Sequence, residues 1–161
     1  MNKKLNLFLL TFFMIGRIKK APGTFASLAT CILFFLFIQI FTIEIIFIFT
    51  LIIFLYSFIA INNSFDEFNS EDPQEIVIDE FVGQMIPLLA IPIYETLYPL
   101  PVIYYCVSSF ILFRVFDIWK PYPINHIDNN VKGASGIMLD DVVAGIYSIT
   151  LLTFILFFLG G

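Results

Sequence analysis

The sequence predicts an all-α fold: a polytopic membrane helical bundle of about five spanning helices, with a short N-terminal helix that lies in the interface or is re-entrant. Three observations lead there. The chain of 161 residues is 60% hydrophobic and 13% charged, where a soluble domain carries roughly 45–50% apolar and about 25% charged residues. Its apolar residues fall in runs long enough to cross a bilayer, which takes roughly 20 residues. The charged residues gather in short segments between those runs. The length fits one domain over residues 1–161.

The N-terminal run, residues 5–15, follows Lys3 and Lys4 and resembles a signal peptide. No small-x-small cleavage site follows it, so it is expected to remain as a short helix. Eleven residues are too few to span. Residues 25–61 form the longest apolar stretch, interrupted by Gln39 and Glu44. One helix of that length would be about 55 Å long, against a hydrocarbon core of about 30 Å. Two helices turning near 39–44 are therefore predicted, with both outer ends on one side. Residues 81–113 are broken by Pro87, Pro92, Pro99 and Pro101; the prolines around 94–101 mark a second hairpin. Residues 142–159 form a last single span.

Two hairpins place the polar segments 16–24, 62–80 and 114–141 on one face. All Lys and Arg lie there or at the N-terminus, so the positive-inside rule assigns that face to the cytoplasm. With 8 Lys plus Arg and no basic stripe, nucleic acid is not an expected partner. Cys31 and Cys106 lie inside apolar runs without Cys or His at ligand spacing, and read as small packing residues.

Four constellations carry chemistry. In the first, Arg17, Lys20, Pro22, Gly23 and Thr24 join a short helix to a long one. Pro22 fixes the backbone, Gly23 permits a tight turn and Thr24 is placed to cap the next helix. Free N–H groups at a helix start suit phosphate; a membrane-edge loop with basic anchors is the plainer reading. In the second, Asp79 and Glu80 lead directly into an apolar helix, Glu80 and Gln84 share a face, and Asp72 and Glu75 precede them at spacings of 3 and 4. A preference for acids at helix N-termini explains Asp72 and Glu75 better than the Asp79–Glu80 pair.

In the third, Arg114, Asp117 and Lys120 recur every three residues before Pro121 and Pro123 end the helix, with Trp119 and Tyr122 as interfacial aromatics. An aromatic belt with a snorkelling lysine is the plainer reading. In the fourth, a loop with Lys132, Gly133 and Gly136 enters a helix expected to start with Asp140 and Asp141. Adjacent carboxylates repel and are stabilised by a divalent cation, and Mg²⁺ takes oxygen ligands, one or two carboxylates plus phosphate oxygens. Asp79, Glu80, Asp140 and Asp141 thus offer two acidic pairs. His126, alone in a polar loop, ranks below them.

Together these segments resemble the phosphatidylglycerophosphatase A family. The resemblance rests on residues 21–24 with Ser27-Leu28, on Ile76-Val77, Asp79-Glu80 and Val82-Gly83, and on Phe113-Arg114, Phe116-Asp117-Ile118, Lys120-Pro121 and Pro123-Ile124. It continues through Asp128, Gly133, Gly136-Ile137-Met138, Asp140-Asp141 and Ala144-Gly145, in family order. Ala26 and Ala134 stand where the family usually has glycine. The resemblance implies an all-helical enzyme that uses Mg²⁺ to remove the terminal phosphate of phosphatidylglycerol phosphate, yielding phosphatidylglycerol, at the bacterial inner membrane. On that mechanism Asp79, Glu80, Asp140 and Asp141 would hold one or two Mg²⁺ ions, and Asp117 would orient Arg114 or act as base. Arg17, Lys20, Gly23, Thr24, Arg114, Lys120 and Lys132 would bind substrate. The alternative is a non-catalytic transporter or channel subunit with a cytoplasmic polar cluster. Such a protein would carry polar residues at mid-membrane depth on several helices, and the long hairpin has almost none.

Overall fold

In the computed structural model, residues 3–64 and 75–159 are described. Asp66, Glu67, Glu71 and Asp72 fall outside them. Helix α1 (Lys3–Leu10) is followed by a 3₁₀ turn (Ile15–Arg17), then α2 (Pro22–Phe37), α3 (Ile43–Ser64), α4 (Ile78–Leu89), α5 (Ile91–Leu97), α6 (Val102–Trp119), α7 (Ile124–Asn130) and α8 (Ala134–Leu159).

The boundaries follow local chemistry. Pro22 occupies the first position of α2, where its missing N–H costs nothing. Pro87 within α4 and Pro92 near the start of α5 break the helical ladder at Ala90. Lys120 closes α6 in a left-handed conformation, φ 45°, and Pro121 prevents continuation. Gly133, φ +71°, sets up the start of α8, a backbone conformation that strains any side chain. The Ser and Thr residues inside the helices turn inward on their own backbones: Ser27, Thr30, Thr50, Ser57 and Ser148 each donate to the carbonyl four residues back. That satisfies hydroxyls which lipid could not.

Three described helices are each long and apolar enough to cross a membrane: α3, α6 and α8. Helix α2 has 16 residues, and the α4–α5 arm is built from two pieces. The outward faces are apolar; Ile45, Phe47, Ile48, Ile52, Leu55 and Ile59 of α3 are all exposed. On a water-soluble protein so much contiguous apolar surface would be a liability; against lipid it is the expected finish.

The short α4 is the centre of the bundle. It packs against α2, α3, α6 and α8 and buries Phe81, Val82, Gly83, Gln84, Met85 and Leu88. Contact with α8 is close because two glycines meet there. A Cβ on Gly83 would stand 2.7 Å from the Asp141 carbonyl oxygen, and one on Gly145 would stand 2.5 Å from that of Gly83. Small residues of this kind let membrane helices approach.

Three expectations are corrected. The N-terminal helix stops at Leu10, not at residue 15, because Phe12, Phe13 and Met14 all take positive φ. Packing outweighs that backbone cost: Phe12 is buried and its ring lies 5.2 Å from that of Phe81. Helix α1 docks on α3 through Asn6, which accepts from Tyr56 at 2.6 Å. Thr24 does not cap α2; the N-cap is Ala21, φ 50°, with no side-chain cap. Finally, Asp140 and Asp141 do not open α8, which begins at Ala134. They lie two turns inside it, so helix-terminal charge preference does not account for them.

Candidate active site

The starts of α2, α4 and α8, the end of α6 and Asp128 of α7 converge at one end of the bundle. They enclose a cavity of about 380 Å³ whose lining includes Gly23, Asp79, Glu80, Arg114, Asp117, Lys120, Asp128, Lys132, Asp140 and Asp141. The first turn of α4 presents Asp79 and Glu80, and the central position of that helix buries both side-chain termini. Helix α8 presents Asp141 opposite them. Carboxylate oxygens of Asp79, Glu80 and Asp141 all lie within 4.8 Å of one another. Asp79 Oδ1 and Glu80 Oε2 are buried and have no hydrogen-bond partner among the described residues. Three carboxylates gathered this way repel, and oxygen ligands in such an array fit a hard divalent cation.

Gly23 belongs to this arrangement for a reason other than the expected turn. It is helical, and an added Cβ would stand 1.9 Å from Glu80 Oε1 and 3.3 Å from Arg114 Nη1. The absent side chain leaves room for the Glu80 carboxylate.

The cations form two braced arms. Arg114 Nη1 lies 2.5 Å from Asp117 Oδ2, one turn along α6, and donates to Ser27 Oγ at 3.4 Å. Lys120 Nζ donates to Asp128 Oδ1 at 2.5 Å and to Asp140 Oδ2 at 2.9 Å. Burial alone would lower the Lys120 pKa, but the hydrogen bonds and negative charge of Asp128 and Asp140 outweigh it and hold the ammonium well above its ordinary range. Asp140 is not among the three clustered carboxylates: one of its oxygens accepts from Lys120, and the other accepts the Asp141 backbone N–H at 3.0 Å.

The structure thus brings together Asp79, Glu80, Gly23, Arg114, Asp117, Lys120, Lys132, Asp140 and Asp141. It does not bring in three residues expected to bind substrate. Arg17 pairs with Glu75 at 3.8 Å on the surface, Lys20 is exposed, and Thr24 is absent from the cavity lining. His126 bonds Asn130 in α7 and also lies outside the lining. Asp128 and Ser27, not singled out as site residues by spacing, serve as braces for Lys120 and Arg114. No periodicity could have paired Asp128 with Lys120, since a turn and a helix boundary separate them. Among the described lining residues six carboxylates stand against three cations. With all of them ionised, an anionic phosphate would be repelled unless positive charge were added.

The sequence profile described as phosphatidylglycerophosphatase A matches residues 8–156. The chain is 39% identical to phosphatidylglycerophosphatase A of Haemophilus influenzae over 137 residues, 85% of this chain and 80% of that protein. It is 41% identical to a putative phosphatidylinositol-3-phosphatase of Bacteroides thetaiotaomicron over 101 residues, 63% of this chain and 60% of that one. It is 43% identical to phosphatidylglycerophosphatase A of Escherichia coli over 84 residues, 52% of this chain and 45% of that one. No solved structure matches the chain significantly.

Proposed function

The chain belongs to the phosphatidylglycerophosphatase A family, and from that premise we propose that it hydrolyses the terminal phosphate monoester of phosphatidylglycerol phosphate, with Mg²⁺ as cofactor. The observation that carries the reading is the cavity itself: a carboxylate trio beside two braced cations, at the mouth of a bundle whose outer surface is apolar. A lipid headgroup with a dianionic phosphate matches both halves.

The residues divide by role. Asp79, Glu80 and Asp141 would hold the ion, as their unpartnered buried oxygens suit. When bound there, Mg²⁺ supplies Lewis-acid polarisation of the phosphoryl group. Arg114, kept in orientation by Asp117 and Ser27, is suited to two-pronged contact with phosphate oxygens. Lys120, kept in place by Asp128 and Asp140, adds a second fixed positive charge, and Lys132 lines the same cavity. Such preorganised charge is the main requirement for phosphoryl transfer. Among the described residues no Ser or Cys lines the cavity, and water is the proposed nucleophile. It attacks phosphorus and gives up a proton, the bond from phosphorus to the glycerol oxygen breaks, and that oxygen takes up a proton, releasing the alcohol and inorganic phosphate. Lys and Arg lie between the apolar runs or at the N-terminus, and the positive-inside rule then supports a cavity that faces the cytoplasm from a bacterial inner membrane.

The test is phosphate release by the purified protein in mixed micelles, with and without EDTA, and with Mg²⁺ restored. Phosphatidylinositol 3-phosphate belongs in the same assay, given the name of the Bacteroides relative. Release from phosphatidylglycerol phosphate that EDTA abolishes and Mg²⁺ restores is the expected result. Undiminished release in EDTA would remove the metal from the reading. Preference for the inositol lipid would change the headgroup.

A further inference from the structure

A second concavity, about 190 Å³, runs between α2 and α6, and no polar residue of the catalytic cavity takes part in it. Its floor is made by Cys31 and Cys106, two small side chains facing each other across the helix pair, with Cys31 Sγ 3.9 Å from the Cys106 carbonyl oxygen. Both are buried. Its walls include Leu28 and Phe35 from α2 and Val107 and Phe110 from α6. Val107 is 49% exposed, so the groove opens sideways toward lipid.

The groove lies along the same two helices that contribute Gly23 and Arg114 to the catalytic cavity. Phe110 lies one turn before Arg114 on α6, and residues 103, 107, 110 and 114 recur at spacings of 4, 3 and 4, which place them on one face. On α2, Leu28 adjoins Ser27, the residue that bonds Arg114, and Thr24 sits one turn before Leu28 toward the cavity. From Leu28 to Leu36 the α2 wall covers about 12 Å at about 1.5 Å per residue. That is most of one leaflet, given a hydrocarbon core of about 30 Å.

We propose that this groove seats an acyl chain of the phosphate-bearing lipid whose headgroup enters the carboxylate cavity. The inference rests on the phosphatase reading above and extends it to the lipid tail. The chain leaves one apolar surroundings for another, so little affinity is gained. What it gains is position: a tail held along α2 and α6 brings its phosphate to Arg114 rather than leaving it to wander in the interface. Misplacement by about 1 Å can cost a factor of about 100 in rate.

Two measurements decide it. Val107→Trp would fill the groove from its lipid side while leaving the buried core alone. It is expected to lower the ratio of kcat/KM on long-chain to dihexanoyl phosphatidylglycerol phosphate by about tenfold. Ile52→Trp, on the lipid face of α3 and outside the groove, should leave that ratio unchanged. An unmoved ratio in Val107→Trp, or an equal fall in Ile52→Trp, overturns the proposal. Independently of turnover, phosphatidic acid with a diazirine on its acyl chain should label residues 103–110 in nanodiscs more heavily than phosphatidylcholine carrying the same chain. Equal labelling by both lipids overturns the proposal, since any lipid-facing surface would give it. If no phosphate is released from any lipid, the phosphatase reading fails, while the labelling comparison still decides what the groove holds.

Discussion

Lys120 Nζ lies 2.9 Å from Asp140 Oδ2, whereas Asp141, the next residue, turns its carboxylate toward Asp79 and Glu80. Neighbours on one helix point about 100° apart, so two adjacent aspartates can serve two different partners. Asp141→Asn should therefore remove an ion ligand and lower kcat by roughly 10³. Asp140→Asn should loosen Lys120 only, a loss of roughly 10- to 100-fold, with the Mg²⁺ concentration for half-maximal activity unchanged. Titration of Mg²⁺ against phosphate release checks both. Equal shifts in Mg²⁺ dependence for the two variants would return Asp140 to the ligand set.

Gly23→Ala should separate stability from activity. Alanine within a helix is favoured over glycine by roughly 0.5–1 kcal/mol, but the new Cβ would meet Glu80 Oε1 at 1.9 Å. The Glu80 carboxylate must then move within a crowded site. The expected outcome is unaltered or slightly raised thermal stability in detergent with a fall in kcat of at least tenfold. Unaltered turnover would mean that the Glu80 carboxylate has room to shift without cost.

How much of this was legible in the sequence depends on the range of each interaction. The hairpin of α2 and α3 and the break at residues 98–101 were readable, because apolar run length and proline act locally. Asp79 and Glu80 were placed at the start of α4 by the same logic. Asp140 and Asp141 read as a helix start in the sequence because the polar residues before them, including Ser135 and Lys132, read as a loop. In the structure Ala134 already begins α8, and the buried cavity face, not a helix end, receives the Asp140 and Asp141 side chains. The turn at Phe12–Met14 was unreadable, since nothing in three apolar residues announces positive φ; tertiary packing on Phe81 imposes it. The division of labour between Asp140 and Asp141 depends on which way a helix faces its neighbours, which spacing alone does not reveal.

Gly83→Ala tests the close crossing of α4 and α8. Its Cβ would stand 2.7 Å from the Asp141 carbonyl oxygen and 2.7 Å from the Phe113 ring. Neither is a free side-chain end, so the helices must part. Overpacking of this kind costs about 1–3 kcal/mol, and because α8 carries Asp141, turnover should fall together with stability. Thermal unfolding in detergent and phosphate release, measured on the same preparation, should drop in parallel. This distinguishes the position from Gly23, where only turnover is expected to drop.

The pH dependence assigns a role to Lys120. Asp128 and Asp140 raise its pKa above the ordinary 10.5. A group whose folded-state pKa is raised contributes its stabilisation fully below the unfolded value and loses it only as pH climbs through the folded one. Lys120 is therefore fully charged from about pH 6 to about pH 10, and any alkaline fall in kcat/KM within that window arises elsewhere. Lys120→Arg keeps the charge and should leave the midpoint of the alkaline limb where it is, whatever it does to the absolute rate. Lys120→Met removes the charge and leaves Asp128 and Asp140 facing each other without a cation. Its kcat/KM should fall by roughly 10²–10³ at every pH. An alkaline midpoint that moves in Lys120→Arg would show that Lys120 itself titrates within the working range, and that its two carboxylate braces do not hold its proton as tightly as the 2.5 Å and 2.9 Å contacts imply.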